Sequence, residues 1–281
     1  MTRRKVIDRL FTGLAWGAFL LALVPLVCVI WLVVKNGARR FDLTFLTHTL
    51  RGVGPRDTNG GALHAILGTL EQVGLASLIA IPLGLLAAVY VVEVGRGPLV
   101  GAVRFVTDVM TGVPSIVAGL FVFTFWVLAL GQGFSGFAAA IALAILMLPT
   151  VVRTTEVVLG LIPESLREGS LALGVARWRT VVSVVLPAAA SGITTGVVLA
   201  IARVTGETAP LLLTALNLDA LNINPFKGQQ AGLPSFVFAQ AGQPQHSALD
   251  RAWAGALTLL LLVLLLNLTA RLLGRRTRLK G

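Results

Sequence analysis

The sequence predicts an all-α membrane protein with six transmembrane helices and a compact helical knob on the cytoplasmic side, and three observations carry that expectation. The first is composition. Of 281 residues, 56% are hydrophobic and 12% charged, with a mean hydropathy of +0.88, more apolar than the core of a soluble domain of this length requires. The second is the clustering of charge, which leaves uncharged windows at 10–34, 72–92, 109–152, 180–202 and 252–270. A helix crosses about 30 Å of hydrocarbon in roughly 20 residues. Each window therefore spans once, and 109–152 spans twice with a turn at Gly131-Gln132-Gly133-Phe134-Ser135-Gly136. The third is the placing of basic residues: fifteen fall in the amino terminus, the second and fourth loops and the tail, against seven in the first and fifth loops. By the positive-inside rule both termini are cytoplasmic.

The expected helices are 10–34, 70–93, 109–130, 136–155, 187–214 and 252–271. The first is retained rather than cleaved, because 25 uncharged residues ending at Val33-Val34-Lys35 are too long for a signal peptide and carry no small-residue cleavage pattern. Pro25, Pro82, Pro114, Pro149 and Pro210 each remove a backbone donor from one of the first five helices, so each predicts a kink. Gly13-x-x-x-Gly17 and Gly192-x-x-x-Gly196 permit close helix approach.

Several chemistries are excluded. No glycine precedes any of the four lysines, at 5, 35, 227 and 280, so there is no phosphate-binding loop and the chain cannot be its own P-loop ATPase. Gly131, Gly133 and Gly136 satisfy a dinucleotide-binding spacing only by letter, between two apolar helices with no strand before them. His48, His64 and His246 share no ligand spacing, and the single Cys28 cannot form a disulfide within the chain or a multi-cysteine metal site. No metal site and no catalytic constellation is expected. The net charge of +11 reads as membrane topology rather than nucleic-acid binding, and the basic tail, Gly274 to Lys280, is expected among anionic headgroups.

Two features need explaining. Between Glu156 and Pro187 charged, amphipathic sequence interrupts the apolar pattern. Pro163 and a capping box, Ser165-x-x-Glu168, start a short helix, and Gly174 ends it. A second run, Trp178 to Val185, leads to Pro187, which is suited to open the next helix. Such a knob either rests on lipid or docks on a partner. The second feature is Arg203 and Glu207 in the fifth helix. Near mid-membrane a charge costs about 2.5 to 3.5 kcal/mol on insertion scales, and at i and i+4 the two share a face. They are either a structural pair or a polar surface on a pathway, where a guanidinium forks onto an anion's oxygens.

Glu168-Gly169-Ser170, three residues, Gly174, nine residues and Val184-x-Leu186-Pro187 resemble the EAA loop of ABC importer permeases, with small departures at Gly169, Ser170 and Val184. That resemblance implies a coupling helix docked on a cytoplasmic ATPase, with Ser165, Glu168, Gly169, Ser170, Leu173 and Gly174 at the contact. The stretch from Ala202 to Leu212, with Gly112-Val113-Pro114-Ser115-Ile116-Val117 and Leu148-Pro149-x-x-x-Arg153, resembles the permeases of the phosphate-specific (Pst) ABC importers. The Thr208-Ala209-Pro210 after Gly206-Glu207 favours the PstA type over PstC. The resemblance implies a type I ABC importer permease in the bacterial inner membrane, with 1–65 as amino-terminal region, first helix and outer loop, 66–271 as permease domain and 272–281 as tail.

It implies further that Arg203, Glu207, Arg153 and Thr208 face the translocation path, with Glu207 neutralising Arg203 at rest. The partners implied are a PstC-type permease, a PstB-type ATPase dimer carrying ATP and Mg, a PstS-type binding protein, inorganic phosphate and membrane lipid, with no cofactor on this chain and no nucleic acid. Alternatives are a permease for another oxyanion, molybdate or sulfate, and an ion-gradient-driven carrier, which would need no coupling knob. In the fifth loop the apolar run Leu233 to Ala241 is expected to form a short helix at the outer mouth.

Overall fold

The computed structural model describes residues 3–278, with side chains described within 7–269; the side chains of the tail, 272–281, and the contacts expected of them lie outside the described residues. The described chain is helical, with no named strand: α1 Arg3–Gly37, α2 Leu43–Thr47, α3 Leu63–Val89, α4 Pro98–Gly112, α5 Ser115–Val122, α6 Gly136–Gly160, α7 Glu164–Ala172, α8 Arg177–Thr180, α9 Leu186–Thr205, α10 Ala209–Thr214, α11 Leu233–Ala241 and α12 His246–Arg278. Wide π-helical turns follow α3, α5 and α8, at Tyr90–Val94, Phe123–Ala129 and Val181–Val185.

Five stretches are long and apolar enough to span a membrane: Ile7–Gly37, Leu63–Val94, Gly136–Gly160, Arg177–Thr205 and His246–Thr269. The sixth is bent. The helix expected at 109–130 is two helices meeting at 105°, Pro98–Gly112 and Ser115–Ala129. The cause is local: Pro114 offers no donor, and Val113 before it is driven to extended backbone (φ −72°, ψ 125°). Pro25, Pro82 and Pro149 are carried inside unbroken helices, so only some of the five prolines break the chain.

The span expected at 187–214 is also displaced. It begins at Arg177, because the π-turn Val181–Val185 runs straight into α9. A π-turn shifts the acceptor register just where Pro187 lacks a donor, so proline sits inside a continuous rod rather than opening a new one. At the other end α9 stops at Thr205 and α10 restarts at Ala209.

The core is built from small residues of α3 and α6. Val73, Ala76, Ala80, Ala139, Ala140, Leu143, Met147 and Val151 are buried together, joined by Ala118 of α5, Ala200 and Val204 of α9 and Leu211 of α10. Alanine-rich faces bring helix backbones close, which is where dispersion and packing act when lipid removes the hydrophobic difference between inside and outside. The 192/196 glycine pair serves this purpose: a Cβ on Gly192 would lie 2.6 Å from Val158 and one on Gly196 2.5 Å from Thr154 Oγ1. Nothing lies within 4 Å of the corresponding points at Gly13 and Gly17.

The run Leu233 to Ala241 is a helix, as expected. Leu233 and Phe236 are buried against Phe45, Ala65 and Ala254, so it clamps α3 to α12. The buried Arg251 of α12 adds a polar staple, donating to Gln240 (2.9 Å) and to the Asp57 carbonyl (2.6 Å) in the first outer loop.

Candidate functional site

Three motifs far apart in sequence meet in the fold. α5 lies on α10 because Gly119 leaves room for proline: a Cβ there would be 2.6 Å from Pro210 Cα. α6 lies on α9 through Thr154 and Val158 against Gly196 and Gly192. Arg153, next to Thr154, borders an open groove of about 380 Å³ whose floor is these glycines with Thr195 and Leu199.

Arg203 and Glu207 are not one turn apart on one helix, which corrects the expected geometry. The helix ends between them: Gly206 caps α9, donating to Arg203 O (3.3 Å), and Glu207 donates to Val204 O (3.2 Å). Thr208 then caps α10, its carbonyl accepting from Leu211 (3.1 Å). Glycine's low helix propensity and Pro210's missing donor, which would have bonded to Gly206 O, explain the break. Neither charged residue belongs to any ion pair among the described residues, so Glu207 does not neutralise Arg203 in this structure. Arg203 is exposed in the last turn of α9, where the C-terminal carbonyls favour a cation, while Glu207 and Thr208 are half-buried.

The neutralised arginine is Arg153 instead. α6 continues to Gly160, which places Arg153 within the helix. Its guanidinium donates to Glu156 (2.9 Å) and to Asp108 of α4. Glu156 also accepts from Arg104 Nε at 2.7 Å. Four alternating charges thus fasten the α4 arm to α6. Sequence reasoning gave no site role to Arg104, counted only for topology, or to Asp108, which bounds an apolar window; their i, i+4 spacing was the available signal that both share a helix face.

The knob is a helix, a tight turn and a second helix. α7 begins at Glu164 with Pro163 as its cap and no side-chain capping bond, so the expected Ser165 capping box is not formed; Ser165 lies inside the first turn. Gly174 ends α7 as expected, at φ +79°, a conformation open to glycine at little cost. Val175 donates to Ser170 O (3.2 Å) and Gly174 to Leu171 O (2.9 Å), the double closure of a Schellman turn. Of the six residues expected at the contact, Ser165, Glu168, Gly169, Leu173 and Gly174 are exposed. Ser170 is buried and hydrogen-bonded to Thr180 (2.9 Å), so it holds the turn closed from within. Leu173 at 85% and Trp178 at 65% exposure leave an apolar tip on the knob, with Arg179 stacked over the Trp178 ring at 5.3 Å.

Comparison with known proteins agrees with this layout. The family model of the binding-protein-dependent transport system inner membrane component matches residues 80–279. The phosphate transport system permease protein PstA 1 of Mycobacterium tuberculosis is 45% identical over 274 residues, covering 96% of this chain and 90% of the relative. PstA of Pasteurella multocida is 38% identical over 270 residues, covering 96% and 95%. Among solved structures, a bacterial alginate ABC transporter in complex with its pentasaccharide-bound periplasmic protein superposes with a TM-score of 0.67 at 16% identity, covering 97% of this chain and 96% of that one, which speaks to the fold. Matched along most of its length by both the family and these relatives, this chain belongs to the binding-protein-dependent transport system inner membrane components, among the PstA-type permeases.

Proposed function

We propose that this chain is the PstA-type half of the membrane channel of an ATP-driven phosphate importer, lying in a bacterial inner membrane with both termini cytoplasmic. The observation that carries the reading is the 45% identity to a phosphate permease over nearly the whole chain. A PstC-type permease supplies the other half, a PstS-type binding protein delivers phosphate, and a PstB-type ATPase dimer, holding ATP and Mg, docks on the knob. Hydrolysis belongs to that separate subunit, since no phosphate-binding loop exists here. Residues 66–271 are the permease domain in this reading.

Arg203, Glu207, Thr208 and Arg153 line the path. Passage of an anion needs positive potential that attracts without trapping. Arg203 supplies an open guanidinium that can fork onto phosphate oxygens, and Arg153 supplies one already shared with Asp108 and Glu156. Phosphate uptake by the assembled importer tests this. Arg203→Gln, at matched protein levels, is expected to lower uptake at least about tenfold, the worth of one charge-assisted hydrogen bond of about 1.5 kcal/mol or more; near-normal uptake in Arg203→Gln and Glu207→Gln together removes both from the path. Asp108→Asn, by releasing Arg153, is expected to lower KM and maximal rate together. The pair is more than a third exposed, so the change is at most about fivefold. An unchanged KM would place Arg153 outside the path.

A further inference from the structure

We infer that Arg167 is a positioning residue for transport: a strut that carries movement of the ATPase-docked knob into the second and fourth membrane helices, with Glu93 as its seat. This rests on the proposed docking of the ATPase on the knob. α7 packs its backbone against α8 and the π-turn beyond it. Among the described residues, two of its side chains hydrogen-bond to other parts of the chain: Ser170, which reaches Thr180 inside the knob, and Arg167, which reaches the bundle.

The geometry of Arg167 is that of a three-way joint. Its Nε and Nη2 donate to Glu93 at 3.2 and 2.7 Å, a forked seat on the π-turn that ends the second membrane helix. Nη2 also donates to Leu159 O (3.0 Å) and Nη1 to Ile162 O (2.7 Å), carbonyls at and just beyond the end of α6. Helix ends leave such carbonyls without partners, and a cation satisfies both the hydrogen bonds and the terminal dipole. Glu93 is 5% exposed and Arg167 13%, so the joint is shielded from competing water. Hydrogen bonding to Glu93 raises the already high pKa of Arg167, so the guanidinium stays cationic across the physiological range.

A cleft of about 240 Å³, bordered by Glu93, Arg167, Glu164, Arg177 and Thr180, lies between this joint and the start of the next span, against which α7 also packs. Push on α7 reaches the next span through that packing, and the second and fourth membrane helices through the joint. A guanidinium with its fork filled is stiff in direction, whereas a lysine ammonium at the same place is a single point on a flexible stem. The two side chains are 74 residues apart in sequence, so the link joins elements that the chain itself does not connect rigidly.

The test uses the complete importer in proteoliposomes with its binding protein, measuring ATP hydrolysis, phosphate uptake and ATPase retention together. Arg167→Gln and Glu93→Gln are each expected to lower phosphate taken up per ATP hydrolysed about tenfold, the scale of one charged hydrogen bond, while the ATPase stays bound and hydrolyses within about twofold of normal. Arg167→Lys should fall between. If Arg167→Gln does not accumulate, Glu93→Leu with Arg167→Met removes both charges together, a replacement buried pairs often tolerate, and the same loss of uptake per ATP is expected. An unchanged ratio in an accumulating variant, or hydrolysis and uptake falling in parallel, overturns the strut. An ATPase missing from the unsubstituted complex would instead overturn the docking on which it rests.

Discussion

Arg251→Leu is expected to cost about 3 kcal/mol of folding free energy, because one buried cation holds α11 and the first outer loop together through charge-assisted hydrogen bonds. At 2% exposure Arg251 gives its Nε to Gln240 Oε1 (2.9 Å) and its Nη1 to Asp57 O (2.6 Å), with longer approaches to Asn59 O and Pro55 O, both 3.4 Å. Removing it takes a charged donor from the buried Gln240 amide oxygen and from Asp57 O of the exposed 55–59 loop, bonds worth about 1.5 to 3 kcal/mol each, while Pro55 O keeps Ser247 Oγ at 2.6 Å. Arg251→Lys keeps a charge but cannot reach both sides, so an intermediate loss is expected. Detergent-solubilised thermal unfolding with a fluorescence readout checks the order: wild type above Arg251→Lys above Arg251→Leu. Equal midpoints for all three would mean that the loop is held by its backbone alone.

The second large effect comes from a comparison of two identical sequence patterns. Gly196→Val places a Cβ 2.5 Å from Thr154 Oγ1 and 2.7 Å from Thr154 Cβ, a contact that only a shift of α9 away from α6 can relieve. Such overpacking costs about 1 to 3 kcal/mol, and the shift also moves the groove beside Arg153, so phosphate uptake should fall further than protein level. Gly17→Val, in the other small-residue pattern, meets nothing within 4 Å and should leave the isolated chain's unfolding midpoint unchanged. Matched unfolding and uptake curves decide it. If both valines behave alike, α9 can move away from α6 at little cost and the glycine contact does not hold the pair.

These two glycine pairs mark the limit of what pattern can reveal. Gly13-x-x-x-Gly17 and Gly192-x-x-x-Gly196 are indistinguishable as text, and only the neighbour across the groove separates an interface from an open face. The knob shows the same limit at finer scale. Its helix and its Gly174 turn were legible, because a positive-φ turn and a proline before a helix are local demands. The capping role of Ser165 was not, because Pro163 took the cap and moved the start by two residues. Arg167 was passed over entirely, since nothing in its own neighbourhood announces a carboxylate 74 positions earlier.

From its sequence alone this protein is a multi-pass helical membrane chain with a knob between its fourth and fifth spans, matched by family-like motifs. Those features follow from apolar run length, proline, glycine and charge clustering, each a free-energy cost assessed within a few residues. Tertiary structure decided the rest: the fold, in which the third span bends by 105° and the fifth breaks between Arg203 and Glu207, leaves that pair apart and gives Asp108 and Glu156 to Arg153. Helix continuity and charge pairing turn on which partners arrive from distant segments. A charge takes the best-placed counter-charge that packing presents, and packing is a property of the whole bundle.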